Sequence, residues 1–395
     1  MAPMRVALVH MRHAASGGTE RYLNQLADHL AASGWEVTVV CRSHVAPSRP
    51  SIRFEVLRPV ALGGAWRLWA FARAVERHLR EREYDVVLGL GKTWTHDVVR
   101  LGGGAHAAYL ELAHRDTQTP LERALGKGAL KQRLALAAEQ RALAPGAYRR
   151  VIANSGMVAR DVAARYAVPR EAIEVIHNGV DLERFHPRRR TADGAALRAE
   201  LGLGARDLAV LFLGTGYGRK GLDTLLDAFA RGAAERPAAR LVVAGYDSSR
   251  ERFEARARAL GLAERTRFLG GRSDPETCFA AADLYALPTR YDPFANTTLE
   301  ALASGLPVIT THTNGASELI EAGVQGAIED AGDVGALAAA LARWTEPGRA
   351  EAARGAARSL AERHPASRTA QESERVLRDV ARELAASRAP QGAGA

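Results

Sequence analysis

The chain has 395 residues, 47% hydrophobic and 25% charged, an ordinary globular composition and more than one hydrophobic core usually supports, so two domains are expected. It carries 54 Lys and Arg against 45 Asp and Glu, a formal +9 that draws polyanions (nucleic acid, an anionic membrane, a phosphorylated glycolipid) without choosing among them. No apolar run approaches the roughly eighteen residues that span a bilayer, and Cys41 and Cys278, far apart and at no metal-ligand spacing, suit a reducing cytoplasm without a structural disulfide. The lysines number only four, Lys92, Lys127, Lys131 and Lys220. In a chain that defaults to arginine, a lysine inside a glycine loop stands out.

Along the chain, short apolar runs alternate with amphipathic segments, the pattern of βα units and parallel sheets. Met4–His10 reads as a first strand, too short and wrongly flanked for a signal peptide. Further strands are expected at 35–41, 84–90, 149–153, 173–177, 208–213, 240–245, 266–269, 283–287 and 307–311. Thr19–Ser33 has one apolar stripe in Tyr22, Leu23, Leu26 and Leu30, with Thr19 as its expected cap and Gly34 ending the helix. A second stripe follows Gly221 in Leu222, Leu225, Leu226 and Phe229. Turn residues, a proline and a basic run place the domain junction near Asn178–Arg190. The expected division is 1–180, 187–370, and 371–395 as a helix end with a disordered tail. The helical stretch 350–386 is a candidate to pack back across the junction.

Several loops carry residues suited to chemistry. Ser16-Gly-Gly-Thr19 joins the first strand to the first helix and lets a ligand approach the backbone, or is a tight turn only. Gly91-Lys92-Thr93 has the tail of a phosphate-binding P-loop, but Val86 stands where that motif needs glycine. Gly102-Gly103-Gly104 can carry His106 into a crevice; His96 and Asp97 are weaker candidates.

Gly214-Thr-Gly-Tyr-Gly-Arg-Lys-Gly221 sets glycines and two cations between a strand and a helix, a phosphate site if Arg219 clamps oxygens and Lys220 acts as a point charge. Gly216–Gly221 also matches a dinucleotide fingerprint, with Asp247 near the place of a ribose-binding acid, so a nicotinamide-dependent oxidoreductase is the competing reading. Asp292 and Glu300 lie eight residues apart, on a loop and the helix it opens into. Both can face one crevice at the carboxyl end of a parallel sheet. Thr297-Thr-Leu-Glu300 equally fits a capping box.

The segments GGTERYLNQLADHLAASGWEVTVV, GRKGLDTLLDAF and DPFANTTLEALASGLPVI together resemble family 4 glycosyltransferases, from about residue 5 to 345. Within that family the chain looks most similar to bacterial lipopolysaccharide core glucosyltransferases that act on heptose. The resemblance implies an α/β GT-B fold: two Rossmann-like domains with parallel sheets facing a cleft, the N-terminal one for the acceptor and the C-terminal one for a nucleotide sugar. It implies a retaining, metal-independent hexosyl transfer, glucose from a UDP donor, onto lipopolysaccharide core or another glycolipid, with no cofactor beyond the donor. By motif, Arg219 and Lys220 would neutralise the diphosphate, with Gly216 in the same loop, and Glu300 would hold the ribose. Gly17 and Gly18 would lie under the phosphates. Asp292 replaces the first glutamate of the family's E-x7-E pattern and would contact the donor sugar; His106 is the other candidate at the reacting centre. Absence of an Asp-x-Asp motif agrees with a metal-free site.

The expected setting is cytoplasmic, peripheral at the inner membrane. Residues 65–82, with Trp66, Trp69 and Phe71 among arginines, and 115–141 are candidate contacts for an anionic membrane surface or a phosphorylated lipid, or are solvated amphipathic helices. A nucleic-acid partner is not expected, since no binding motif for one is present.

Overall fold

The computed structural model describes residues 3–14, 17–45, 50–61, 63–112, 129–232 and 236–388. Ser16, residues 115–128 of the basic segment and residues 389–395 of the tail lie outside the described residues. The chain divides into two compact units: residues 1–178 with 366–395, and residues 179–365.

The first unit is a seven-stranded sheet in the order β3-β2-β1-β4-β5-β6-β7, every neighbouring pair parallel. Its strands are β1 Arg5–Val9, β2 Glu36–Cys41, β3 Arg53–Val56, β4 Val86–Gly89, β5 Val98–Leu101, β6 Arg150–Ala153 and β7 Ile173–Val175. The helix after β1 starts at Gly18, with Gly17 rather than Thr19 as its N-cap, and buries the expected stripe of Tyr22, Leu23, Leu26 and Leu30. Gly17 sits at φ 117, where a Cβ would meet the Glu20 carboxylate at 2.1 Å. Both cysteines are buried and free.

The C-terminal segment corrects the expected boundaries. Ala366–Arg388 is one continuous 23-residue helix, and it belongs to the first unit instead of ending a second domain at residue 370. Its Val376, Leu377, Val380 and Leu384 join Leu23, Leu26, Leu30, Val37 and Leu88 in one core. Burial of such side chains contributes about 1.5–3 kcal/mol each. Polar bonds fix the register. Tyr22 donates its hydroxyl to Ser373 Oγ at 2.8 Å, and Glu374 accepts from Trp35 Nε1 at 3.0 Å and His29 Nε2 at 2.8 Å.

The second unit is a six-stranded sheet, β10-β9-β8-β11-β12-β13, again all parallel. Its strands are β8 Leu208–Leu213, β9 Ala239–Ala244, β10 Thr266–Gly270, β11 Leu284–Leu287, β12 Val308–Thr311 and β13 Gly326–Glu329. Each sheet begins winding one way from its first strand and then reverses. The reversal falls between β1 and β4 in the first unit and between β8 and β11 in the second. Loops leaving these two strands diverge to opposite faces and open a crevice at their carboxyl ends.

His96 and Asp97, weaker sequence candidates, are framework. Asp97 accepts the Val87 N–H at 2.8 Å. His96 is buried, with one ring nitrogen on the Ala142 carbonyl at 3.2 Å and the other without a partner. Burial pushes its pKa down from 6.5 to about 4. The unfolded chain therefore binds a proton below pH 6.5 that the folded protein refuses, so stability is lost as pH falls from 6.5 towards 4. Thermal melts across this range should show a loss of up to about 3 kcal/mol from this group, and His96→Gln should flatten the slope.

Candidate active site

In the second unit the loop after β8 and the loop after β11 are laced together by backbone. Arg290 N–H donates to the Arg219 carbonyl at 2.9 Å, the Thr289 hydroxyl to the same oxygen at 3.2 Å, and Arg290 Nε to the Gly218 carbonyl at 3.2 Å. Gly221 must be glycine: its φ is +79, and a Cβ would stand 1.9 Å from the Pro288 carbonyl oxygen. Tyr217 plugs the loop from below. It is fully buried, donates its hydroxyl to the Gly245 carbonyl at 2.8 Å, and meets Phe212 and Phe253 edge-on.

This lacing brings Arg219, Lys220 and Asp292 together, as the sequence pattern suggested. Lys220 and Asp292 are both about 8% exposed, and the lysine Nζ contacts Asp292 Oδ2 directly. Arg219 Nη1 approaches the same oxygen at 3.4 Å and donates to the Tyr291 carbonyl at 3.0 Å. Burial opposes the Asp292 charge, but Lys220 and Arg219 outweigh it and hold the carboxyl below its ordinary range. Glu300, 4% exposed on the helix Asn296–Ala303, is near enough to act electrostatically on Lys220. The capping-box reading of Glu300 does not hold, because the helix begins at Asn296 with Ala295 as its N-cap, which puts Thr297 inside the helix and not at the cap position. Gly216, at φ +79, has open space where a Cβ would project.

Asn314 was not singled out from sequence, and it organises the loop. Fully buried, its Oδ1 accepts the N–H groups of Ala295 and Ala316 at 3.1 Å each. Its Nδ2 donates to the hydroxyls of Thr298 and Thr310 at 3.0 Å each. The backbone beside it bridges Asp292, with Asp292 N–H on the Thr313 carbonyl at 2.9 Å and Gly315 N–H on the Asp292 carbonyl at 2.8 Å. The one sequence signal was Asn-Gly immediately beyond an apolar strand.

Gly17, Gly18 and His106 belong to the first unit. There a cavity of about 460 Å3 opens at the carboxyl ends of β1, β4 and β5, lined by residues including His10, Lys92, Arg100, His106 and Glu139. His106 Nδ1 stands 3.0 Å from Lys92 Nζ, and its Nε2 2.6 Å from Gln132 Oε1. An ammonium only donates, so Nδ1 accepts and Nε2–H donates to Gln132. Burial, reinforced by the Lys92 charge, lowers the His106 pKa and favours the neutral ring. Among the described residues no group of three or more His, Cys, Asp or Glu is placed to hold a metal ion.

Two family models match the chain. One described as "Glycosyl transferases group 1" covers residues 194–359, and one described as "Glycosyltransferase Family 4" covers residues 16–184. The D-inositol 3-phosphate glycosyltransferase of Mycobacterium sp. (strain KMS) is 31% identical over 84% of this chain and 80% of its own length. Among solved structures, WaaG, a glycosyltransferase involved in lipopolysaccharide biosynthesis, has a TM-score of 0.79 at 23% identity, covering 94% of this chain and 99% of that one. Anabaena Alr3699/HepE in complex with UDP-glucose has a TM-score of 0.70 at 22% identity, covering 95% and 100%. These two likenesses establish the fold. The nicotinamide reading is set aside, since both matched families are glycosyl transferases. Asp247, its proposed ribose ligand, instead accepts the backbone N–H groups of Tyr217 at 2.6 Å and Ser249 at 2.7 Å.

Because Asn314 satisfies four buried partners at once, Asn314→Ala should lower the urea midpoint of the second unit, a loss of about 3 kcal/mol. Donor binding should fall with it, as the loop carrying Asp292 loses its anchor.

Proposed function

The chain belongs to the family 4 glycosyltransferases and has their two-unit GT-B fold, and from that premise we propose that it moves a hexose, glucose from a UDP donor, onto a lipopolysaccharide core or other glycolipid with retention of configuration. The observation that carries the donor half is the cluster of buried Lys220, Asp292 and Glu300 with half-buried Arg219 at the reversal of the second sheet. Cations there match a diphosphate, and carboxylates match the hydroxyls of ribose and sugar. Solved Alr3699/HepE holds UDP-glucose on a similar fold, which favours uridine among the bases. WaaG's role in lipopolysaccharide biosynthesis favours the acceptor class.

In the proposed reaction the bond from the sugar's anomeric carbon to the diphosphate breaks and one to the acceptor hydroxyl forms. The hydroxyl proton passes to the departing phosphate. Negative charge grows on the leaving group, and Lys220 and Arg219 stabilise it without a metal ion. Glu300 would accept from the ribose hydroxyls, and Asp292 would contact the sugar. The first unit would take the acceptor in its cavity, with His106 beside the reacting hydroxyl and Gly17 and Gly18 offering backbone to phosphate.

No helix among the described residues is long and apolar enough to cross a membrane. Docking on an anionic leaflet at the cytoplasmic face would use the helix Gly63–Glu81. Its aromatic contribution is narrower than the sequence suggested. Trp66 is 49% exposed, whereas Phe71 is buried and Trp69 donates to the Leu134 carbonyl at 3.1 Å. Flotation with anionic vesicles at low salt should carry the protein upward, and Trp66→Ala should weaken it; failure of the unsubstituted protein to float removes the membrane from this reading.

Thermal shift against UDP, ADP, GDP, their glucose conjugates and NADH tests the donor. A ligand at a hundred times its Kd adds about 2.7 kcal/mol, a shift of roughly several degrees, and one nucleotide sugar should give it with or without EDTA. Lys220→Ala and Glu300→Ala should each cost about 100-fold or more in transfer with the fold intact. A near-normal rate in either removes that residue from the site.

A further inference from the structure

The first unit holds His106 by its backbone and by its ring. The helix His106–Leu112 carries it at its first position. Glu139, on the helix Ala129–Ala142, accepts the leading N–H groups of that first helix, His106 at 2.9 and 2.7 Å and Ala107 at 3.4 Å. Tyr166, at the end of the helix Gly156–Tyr166, donates its hydroxyl to Glu139 Oε1 and holds that carboxylate in turn. A carboxylate from a neighbouring helix thus satisfies the N–H groups that a helix start leaves open, and it pins the backbone that bears the ring.

The ring is fixed at both nitrogens. Nε2 lies 2.6 Å from Gln132 Oε1, which comes from the same helix as Glu139, and Nδ1 lies 3.0 Å from Lys92 Nζ. Tyr109, on the ring's own helix, stacks on the imidazole with centroids 5.9 Å apart and planes 16° from parallel. A neutral imidazole has one N–H and one lone pair, and here both are spent. The ring keeps no basic nitrogen with which to take a proton from a substrate. An ammonium has three N–H bonds, and the contact with His106 uses one. Lys92 and His106 both line the cavity at the carboxyl ends of β1, β4 and β5.

We propose that Gln132 is a positioning residue for glycosyl transfer: by holding His106 in its Nε2–H form it turns the other nitrogen's lone pair onto Lys92, which is the group this cluster presents to the acceptor. A ring protonated at Nδ1 would set a donor against a donor and release the lysine. Burial lowers the His106 pKa most, Lys92 and Lys131 act in the same direction, and Gln132 and Glu139 act against them. Glu139 also acts on Lys92, whose pKa burial brings to about 8. His106 therefore acts through Lys92, and the acceptor's proton is left to the departing phosphate. The proposal rests on the reading that this cavity receives the acceptor.

Long-range proton–nitrogen correlation spectra of the full chain with isotope-labelled histidine test it, the His106 signals being identified by their loss in His106→Gln. At neutral pH Nε2 should carry the proton and Nδ1 none. Gln132→Met should mix the two tautomers, and Gln132→Glu should keep Nε2–H while raising the His106 pKa. Transfer from UDP-glucose to lipopolysaccharide core oligosaccharide gives the second readout. Gln132→Met should lower kcat about tenfold, the equivalent of one hydrogen bond, with KM for UDP-glucose unchanged. Gln132→Glu should restore most of kcat above the His106 pKa and move the acid limb of the pH profile upward. His106 protonated at Nδ1 in the unsubstituted chain, or a Gln132→Met protein that keeps the unsubstituted tautomer or kcat, overturns the proposal. If the unsubstituted chain transfers no glucose, the donor and acceptor reading falls, and the spectra alone decide whether Gln132 fixes the ring.

Discussion

An ammonium ion buried in a protein needs a counter-charge, and the Lys220–Asp292 contact supplies one at the centre of the second unit. Much of the local structure serves to make that contact possible. Gly221 takes a conformation that L residues avoid, pressed against the Pro288 carbonyl, so that the loop after β8 can reach the loop after β11. Tyr217 fills the space beneath. Asn314 meets Ala295 and Ala316 from the far side and sets the path of the chain that bears Asp292. Remove the counter-charge and the lysine has no stable buried position; remove the lacing and the two charges have no reason to meet.

The reversal of strand order explains why such a cluster stands where it does. β8 and β11 are neighbours in the sheet, but the segments leaving them turn to opposite faces. The crevice between those turns is the one place where two loops of distant sequence share a floor of strand ends. β1 and β4 reproduce the arrangement in the first unit, and there too the cavity collects polar side chains, with His10 after β1 and Lys92 after β4. One topological rule accounts for both sites.

Sequence reading went as far as local pattern reaches. Every strand expected from an apolar run is present, and the cation loop and carboxylates were visible because glycine, charge and spacing are all local signals. The strands that escaped notice are those whose burial is supplied by neighbours. β3 is a half-buried edge strand, β13 begins at a glycine pressed to the Val308 carbonyl, and β5 has Arg100 in its middle, a residue that interrupts any apolar run. Asn314 and Tyr217 were illegible for a related reason: their value lies in bonds to residues brought near by folding. So too for Ala366–Arg388, whose apolar stripe announces a helix but not which unit it covers.

Asp292 shows how one residue can satisfy a motif and still differ in consequence. The motif resemblance implies a glutamate at this place, and the shorter aspartate keeps the carboxylate close to its own backbone. There Oδ1 receives the Phe294 N–H at 3.3 Å while Oδ2 faces both cations. Half of the group thus braces its own loop, and the other half offsets one of the two cationic charges, with Glu300 near enough to act on Lys220 as well. A diphosphate arriving at this cluster would meet cations already partly offset by Asp292, and its hold would come from the remaining charge and from redistributing that contact. In the first unit the carboxylate stands further off: Glu139 acts on Lys92 electrostatically, but among the described residues it forms no ion pair with it. The two units thus hold their cations differently, the second against a carboxylate in direct contact and the first beside one spent on backbone N–H groups and a tyrosine hydroxyl.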